Sequence, residues 1–239
     1  MALLSSLPNA SLSLRVLARL LSYPDAALRD DLPDMRAALH SDKTIPASRL
    51  AELDALMATL ESGDSLENEA EYVQMFDRGR ATSLHLFEHV HGDSRERGPA
   101  MIDLAQTYEK AGLFLAPGEM PDYLPAVLEF VSTQPPKEAR AFLGEMAHIF
   151  NAIFNALQQR ESAYASVLGA LLELSGETAH AVKVTPDEPI DAAWEEPVVF
   201  DGCSTKGQAK PGQAQPIHFV KTEAARAGAQ AAAQQGVSP

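Results

Sequence analysis

The chain has 239 residues, of which 46% are apolar and 22% are charged, a composition typical of a globular protein with one large core. The formal net charge of −14 excludes a nucleic-acid backbone or an anionic membrane as the main partner, because both are also negative. One cysteine, Cys203, excludes an internal disulfide framework and fits a reducing compartment. The acidic surface either attracts a basic peptide or serves solubility, and composition leaves both interpretations open.

No segment is predicted to enter a membrane or to direct export. The apolar N-terminus lacks a preceding basic residue and is interrupted by Arg15 and Arg19, unlike a secretory signal peptide. The apolar run YASVLGALLEL is shorter than the ~18 residues that a membrane-spanning helix requires. We therefore expect a cytoplasmic protein.

Residues 9 to about 175 are predicted to form successive α-helices. SLSLRVLARLLSYP has leucines on one helical face before Pro24, and PASRLAELDALMATLESG repeats that spacing before Gly63. SRERGPAMIDLAQTYEKAG stops at Gly112. MPDYLPAVLEFVS and PPKEARAFLGEMAHIFNAIFNALQQR follow prolines that suit a first helical turn, and SAYASVLGALLEL completes the series. The predicted core-facing residues are Leu14, Leu17, Leu20, Leu21, Leu50, Leu53, Met57, Leu60, Met101, Leu104, Ala105 and Tyr108.

The predicted fold class is therefore all-α, with a single compact multi-helix domain, since neither period-two alternation nor a repeat of fixed length occurs. The composition changes after residue 176. Residues 177–239 are rich in Pro, Gly, Gln and Ala and cannot bury enough surface to offset chain entropy. We expect residues 1–176 to form the domain and 177–239 a largely disordered tail. Its apolar islands WEEPVVF and PIHFV are either docking segments or incidental.

The segment HLFEHVH, residues 85–91, contains His-x-x-Glu-His, the inverted form of a zinc-peptidase motif. In that motif two histidines on one helix face bind zinc, and the glutamate activates water. His85, Glu88 and His89 have this spacing, although no distant carboxylate stands out as a third ligand. A zinc metallopeptidase is therefore one interpretation, but the short match favours it weakly.

Helix geometry gives the same segment a second interpretation. At about 100° per residue, its apolar side chains fall on one arc and its polar side chains on the opposite one. We expect the apolar arc to face the core and the polar arc to face water or a partner. The apolar arc consists of Leu84, Leu86, Phe87 and Val90, and the polar arc of His85, Glu88 and His89.

The preceding stretch, FDRGR, places two arginines around Gly79, which can break a helix or adopt a positive φ. Arg78 and Arg80 could clamp a carboxylate or phosphate in bidentate fashion. The alternative is a helix–helix turn with a local pair between Asp77 and an arginine.

YVQMFDRGRATSLHLFEHVHGDSRERGPAMIDL, followed by YEKAGLFLAPGEMPDYLPAVLEF, resembles the NarJ family, the nitrate reductase delta-subunit-like assembly chaperones. The segments IDAAWEEPVVF and QPIHFV resemble the end of the same family, so the similarity runs through most of the chain. A wider family of molybdoenzyme maturation chaperones shares only Tyr-x-x-x-Phe and Glu-x-Pro-Asp-(His/Tyr)-Leu-Pro elements.

The resemblance implies an all-helical chaperone domain with no catalytic activity and no cofactor of its own. Such a chaperone binds the N-terminal segment of the molybdenum-containing catalytic subunit of respiratory nitrate reductase in the cytoplasm. It supports insertion of the molybdenum cofactor and iron–sulfur cluster before the subunit docks at the membrane. Molybdenum-cofactor delivery proteins are a further implied partner, and a generic helical adaptor is the alternative function.

Residue by residue, the resemblance implies client-peptide binding at the two family elements. We expect the polar arc of His85, Glu88 and His89 and the Asp122–Tyr123 turn to border a groove for an amphipathic client helix. Binding of the client should then be sensitive to pH. The chain has Tyr123 where many members have histidine, so a role of that histidine is not carried over. The implied residues are Tyr72, Phe76, Asp77, Arg78, Arg80, His85, Glu88, His89, Glu119, Asp122, Tyr123 and Glu129.

Overall fold

The structure, a computed structural model, describes residues 9–92 and 94–182, and these ranges contain nine α-helices and one short 3₁₀ helix, Arg80–Thr82. They contain no β-strand, so the all-α prediction is confirmed. None of these helices is long and apolar enough to cross a membrane. The α-helices are α1 (Ser11–Leu20), α2 (Ala26–Asp42), α3 (Ala47–Ser62), α4 (Ser65–Phe76), α5 (Leu86–Val90), α6 (Arg97–Lys110), α7 (Leu124–Ser132), α8 (Pro136–Gln159) and α9 (Ala165–Ser175).

The core lies where α1 packs against α7 and α2, and where α8 packs against α9. The four leucines predicted for α1 are fully buried, as their spacing requires. α7 and α9 are apolar over most of their surface and bury most of their side chains, which is why they occupy the middle of the domain. Phe150 on α8 is the largest fully buried side chain.

Local capping signals explain where the helices begin and end. The Asp25 carboxylate accepts a hydrogen bond from the Leu28 amide at 2.7 Å, and the Asp64 carboxylate accepts one from the Leu66 amide at 2.9 Å. Pro136 lies in the first turn of α8, where its missing N–H costs nothing. α9 ends at Gly176, whose φ of +88° is the left-handed conformation that glycine tolerates.

Two of the helices, α2 and α4, are not among the helical segments that the apolar spacing predicts individually. α2 contains Pro33 within its span, which masks the apolar spacing of its buried residues. In α6 the predicted core face is only partly correct, because Tyr108 is buried whereas Met101, Leu104 and Ala105 are half-buried. α6 therefore lies at the edge of the domain.

The predicted domain boundary falls just after α9. Residues 177–182, expected to begin the tail, are exposed and run along α8, with the backbone of His180 hydrogen-bonded to Asn151. The rest of the predicted tail, with its two apolar islands and Cys203, lies outside the described residues. The boundary and the tail remain predictions.

Candidate functional site

Two segments carry the family resemblance, residues 72–91 and residues 119–129. They meet at an isolated antiparallel bridge between His85 and Tyr123. The Leu86 amide donates to the Asp122 carbonyl at 3.0 Å, and the Leu124 amide donates to the Leu84 carbonyl at 2.8 Å. The bridge thereby fixes His85 beside a residue that lies 38 positions further along the chain. The histidine segment and the Asp122–Tyr123 turn, both expected to border a groove, therefore lie side by side in the fold.

Asp122 is the centre of this junction, with a carboxylate that is completely buried. Its Oδ2 accepts a hydrogen bond from the Phe87 amide at 3.2 Å and lies 3.7 Å from Nη2 of Arg97. Its Oδ1 lies 3.3 Å from Nδ1 of His85. A buried carboxylate is stable only with such partners, so Asp122 holds α5, α6 and the turn before α7 together.

The hydrogen bond to Asp122 raises the pKa of His85 above its usual value, although partial burial acts in the opposite direction. Glu88 contributes a smaller effect of the same sign, and Arg97 opposes it. Arg97 also pairs with Glu88 at 3.4 Å. The histidine therefore titrates within a network of one buried carboxylate, one half-buried carboxylate and one guanidinium.

The helical arcs predicted for HLFEHVH are only partly correct. Leu84 and Leu86 are buried, but Val90 is 52% exposed. His85 is extended and precedes α5, because residues 84–86 form the bridge, so it does not share a helix face with His89. His89 Nε2 instead lies 2.9 Å from the Ser83 carbonyl. The local pattern was overridden by a pairing with a distant segment.

The zinc-peptidase interpretation requires both histidines on one helix face with a third ligand nearby. The part of the chain that the structure describes contains no group of three or more His, Cys, Asp or Glu residues placed to hold a metal. His85 Nδ1 and His89 Nε2 both have partners within the protein. The two histidines of the His-x-x-Glu-His motif therefore lie in different local conformations, His85 extended and His89 helical, and do not form a shared metal-binding face.

Tyr72 on α4 connects the segment of residues 72–91 to the segment that contains Tyr123 from the interior of the domain. It is buried, and its hydroxyl donates to the Leu21 carbonyl at 2.7 Å and lies 3.3 Å from the Tyr123 hydroxyl. Its ring packs against Phe76 at 4.8 Å, and Phe76 packs in turn against Tyr164 at 5.1 Å. Burial raises the pKa of Tyr72. Tyr72 therefore supports Tyr123 directly, Phe76 packs against Tyr72, and both are buried with little surface for a partner.

The FDRGR stretch forms a rigid turn between α4 and the 3₁₀ helix. Gly79 is buried and lies just beyond the end of α4. Of its two possible roles, a helix break and a positive φ, the second does not occur, because its φ is −113°; glycine is needed there for space. A Cβ there would lie 2.6 Å from Thr82 Oγ1 and 2.8 Å from the Arg160 guanidinium. That guanidinium donates to the Met75 carbonyl at 3.4 Å. The turn presents exposed Asp77, Arg78 and Arg80 on a fixed base.

A groove of about 480 Å³ opens beside Tyr123. One wall is formed by α1 and α7, and the other by the end of α6 and the loop before α7. Phe114 in that loop is 80% exposed, and the carboxylates Glu119 and Glu129 lie among the lining residues. The remaining lining residues are Ser11, Arg15, Ser22, Tyr108, Leu113, Leu115, Tyr123, Pro125, Ala126, Phe130, Ser132 and Thr133.

Comparison with known proteins decides the family. The family described as "Nitrate reductase delta subunit" matches residues 42–168. The chain belongs to this family.

Among curated relatives of this chain, the nitrate reductase molybdenum cofactor assembly chaperone NarJ of Escherichia coli K12 is 42% identical over 195 residues. The match covers 77% of the chain and 83% of the relative. A proposed chaperone of the same description, NarW from that strain, is 38% identical over 193 residues, covering 77% and 80%. A proposed NarJ of Bacillus subtilis 168 is 32% identical over 167 residues, covering 69% and 88%. These names describe assembly chaperones, in agreement with the expectation that the chain is not an enzyme.

A crystal structure of a proposed redox enzyme maturation protein from Archaeoglobus fulgidus superposes with a TM-score of 0.50. It covers 74% of this chain and 100% of that chain at 21% identity, which supports the fold alone.

The residues predicted from the family elements therefore separate into distinct places in the delta-subunit fold. Three of them, Glu119, Tyr123 and Glu129, line the groove. The others are the buried supports Tyr72, Phe76 and Asp122, the half-buried residues His85, Glu88 and His89, and the exposed residues Asp77, Arg78 and Arg80.

Sequence reasoning missed the apolar part of the groove. Leu113, Phe114 and Leu115 lie in a loop, where no helical or strand period marks them. The available signal was the run of three large apolar residues that precedes Ala116 and Pro117 and follows Gly112.

Proposed function

We propose that the protein is a nitrate reductase assembly chaperone that binds the N-terminal segment of the molybdenum-containing catalytic subunit in the groove beside Tyr123. Bound there in the cytoplasm, the subunit is held competent for insertion of its molybdenum cofactor and iron–sulfur cluster before it docks at the membrane. The observation that carries the proposal is a half-apolar groove with carboxylates at its edge, in a chain whose relatives are named as chaperones for this assembly.

The groove suits an amphipathic segment with basic residues. Phe114 projects into solvent and Phe130 lies deeper, so apolar client side chains find a surface to cover. Glu119 and Glu129 can pair with lysine or arginine, whereas Arg15 is the only basic residue in the lining. The net charge of −14 favours the approach of such a segment from a distance.

The other family residues act in this proposal by setting the shape of the groove. Asp122 fixes the turn that carries Tyr123, and Tyr72 supports the Tyr123 hydroxyl from below. His85 packs against Tyr123 with ring centroids 5.4 Å apart, so its protonation affects the groove edge. The exposed side chains at Asp77 and Arg78 remain available to other parts of the client.

A chaperone must also release its client. A dissociation constant of about 1 μM corresponds to roughly −8 kcal/mol, which a few apolar anchors and charged edge contacts supply. No covalent step and no bound cofactor is required.

The test is calorimetric titration of a synthetic peptide from the N-terminus of the nitrate reductase catalytic subunit into the full-length protein. We expect Phe114→Ala to weaken binding about tenfold, as loss of a central apolar anchor does. Ile102→Ala is the matched control, because Ile102 is also exposed, at 59%, but lies on α6 outside the groove. Equal affinity of both variants and the wild type for the peptide would show that the peptide does not bind in the groove.

A further inference from the structure

α8 carries a second arrangement that the groove does not use. Asn151 is only 1% exposed, and both polar atoms of its side chain bond to the backbone of one residue, His180. Oδ1 accepts from the His180 amide and Nδ2 donates to the His180 carbonyl, each at 3.0 Å. The asparagine side chain therefore acts as the opposing peptide group of a β-bridge.

One helical turn later, Asn155 makes a second pair of hydrogen bonds, here to the backbone of two residues of the segment. Its Nδ2 also donates to the His180 carbonyl at 3.0 Å, and its Oδ1 accepts from the Val182 amide at 3.4 Å. Four residues of helix rise about 6 Å, close to the roughly 6.6 Å between alternate residues of an extended chain. Two asparagines four apart thus match alternate residues of an extended polypeptide.

The contact involves backbone and hardly any side chain of the bound segment. Residues 176–182 are all exposed, so no side chain of this segment is buried in a pocket. The segment leaves α9 at Gly176, whose left-handed φ of +88° makes a turn, and hydrogen bonds of the His180 and Val182 backbone to α8 hold residues 177–182 in place. A site that binds only backbone accepts many sequences, as strand addition to a sheet edge does.

We propose that Asn151 and Asn155 form a clamp for extended polypeptide, that residues 178–182 occupy it in the free protein, and that an extended stretch of the incompletely folded client replaces them. This deepens the proposed function and rests on it. The tethered segment 178–182 has a high effective concentration at the clamp, so a free chain competes poorly. A client anchored in the groove by its N-terminal segment is tethered as well, and can compete.

The buried position of Asn151 explains why the clamp needs an occupant. Its two polar atoms would be left buried and unsatisfied if the segment 178–182 left without replacement, unless water entered. Exchange of one backbone for another keeps these bonds intact.

The experiment vacates the clamp without touching α8. His180→Pro removes the amide that donates to Asn151, whereas His180→Ala keeps it and is the matched control. The probe is reduced, carboxymethylated α-lactalbumin, a polypeptide that cannot fold, titrated against full-length variants. We expect His180→Pro to bind it about fivefold or more tighter than wild type, the factor given by one net hydrogen bond. His180→Ala should equal wild type.

Adding Asn155→Ala to His180→Pro should abolish the gain, and Asn155 is half-buried, so this change leaves the core intact. The clamp is wrong if His180→Pro binds no tighter than His180→Ala, or if the gain survives Asn155→Ala. It is also wrong if His180→Pro forms dimers instead, since a second copy would then be the occupant.

A second measurement follows the displacement itself. Hydrogen exchange at the His180 and Val182 amides of the wild type should accelerate when the whole catalytic subunit is added, but not when its N-terminal peptide alone is added. Unchanged exchange with the whole subunit contradicts the clamp. Failure of the peptide to bind the groove would instead contradict the proposed function, so the two results are separable.

Discussion

The two walls of the groove are built in different ways. The wall formed by α1 and α7 is continuous with the core, and Leu128 on α7 is completely buried. The opposite wall is the end of α6 and its following loop, and α6 buries only Tyr108. The difference indicates that one wall fixes the position of a bound segment while the other adapts its distance to the segment's side chains.

The largest expected effect is a difference between the two walls in how much a truncated side chain lowers the free energy of unfolding. Leu128→Ala should lower the free energy of unfolding by about 2–5 kcal/mol, because it leaves a cavity in the core. Leu104→Ala, on the half-buried face of α6, should cost about 1 kcal/mol or less. Urea unfolding of both variants measures the difference. Equal losses would show that α6 is as firmly packed as α7.

The next effect concerns the attachment of the second wall at Asp122. Asp122→Ala should cost about 3 kcal/mol, because the Phe87 amide and the Arg97 guanidinium lose their buried partner. Asp122→Asn keeps the shape and one acceptor, and should cost clearly less. Thermal unfolding of the three proteins at neutral pH is the measurement, and indistinguishable midpoints for the two variants would contradict the role of the shape.

A smaller effect should follow removal of one hydroxyl. Tyr108 donates to the Pro121 carbonyl at 2.8 Å and packs against Phe130 with ring centroids 4.8 Å apart. Tyr108→Phe keeps the packing and loses the hydrogen bond, about 1 kcal/mol. Hydrogen exchange in α6 should accelerate while exchange in α7 is unchanged. Equal acceleration in both helices would mean that the walls move as one.

The smallest effect is the dependence on pH through His85. Because Asp122 raises its folded-state pKa, His85 stabilises the fold fully below its unfolded pKa of about 6.5. That contribution is lost as the pH rises through the higher folded-state value. The stability difference between wild type and His85→Gln should therefore be larger at about pH 5.5 than at about pH 8.5. A difference independent of pH would exclude a titrating His85–Asp122 pair.

Much of the helical architecture was predictable from local signals. In α1, α3 and α8 the apolar spacing and the flanking proline or glycine agree, so each segment specifies its own limits. The conformation of His85 was not predictable in the same way. Its partner Tyr123 lies 38 positions away, and the bridge between them overrides a helical period that is present in the sequence.

The candidate site shows the same division. Resemblance to a family identified Glu119, Tyr123 and Glu129, which line the groove, but also Tyr72 and Phe76, which support it from within. A motif records that a residue matters without recording whether it is exposed. Burial depends on tertiary packing, which appears only when α4, α7 and the turn at residue 162 come together.

The FDRGR turn has a practical consequence for anyone attaching a spectroscopic probe to this surface. The Arg78 side chain points to solvent, so a label at that position can report on an approaching partner from a fixed base. One residue further, at Gly79, any side chain would occupy the position of the Arg160 guanidinium, which would have to move away from the Met75 carbonyl. Neighbouring positions on one turn therefore serve as a reporter site and as a control for lost rigidity.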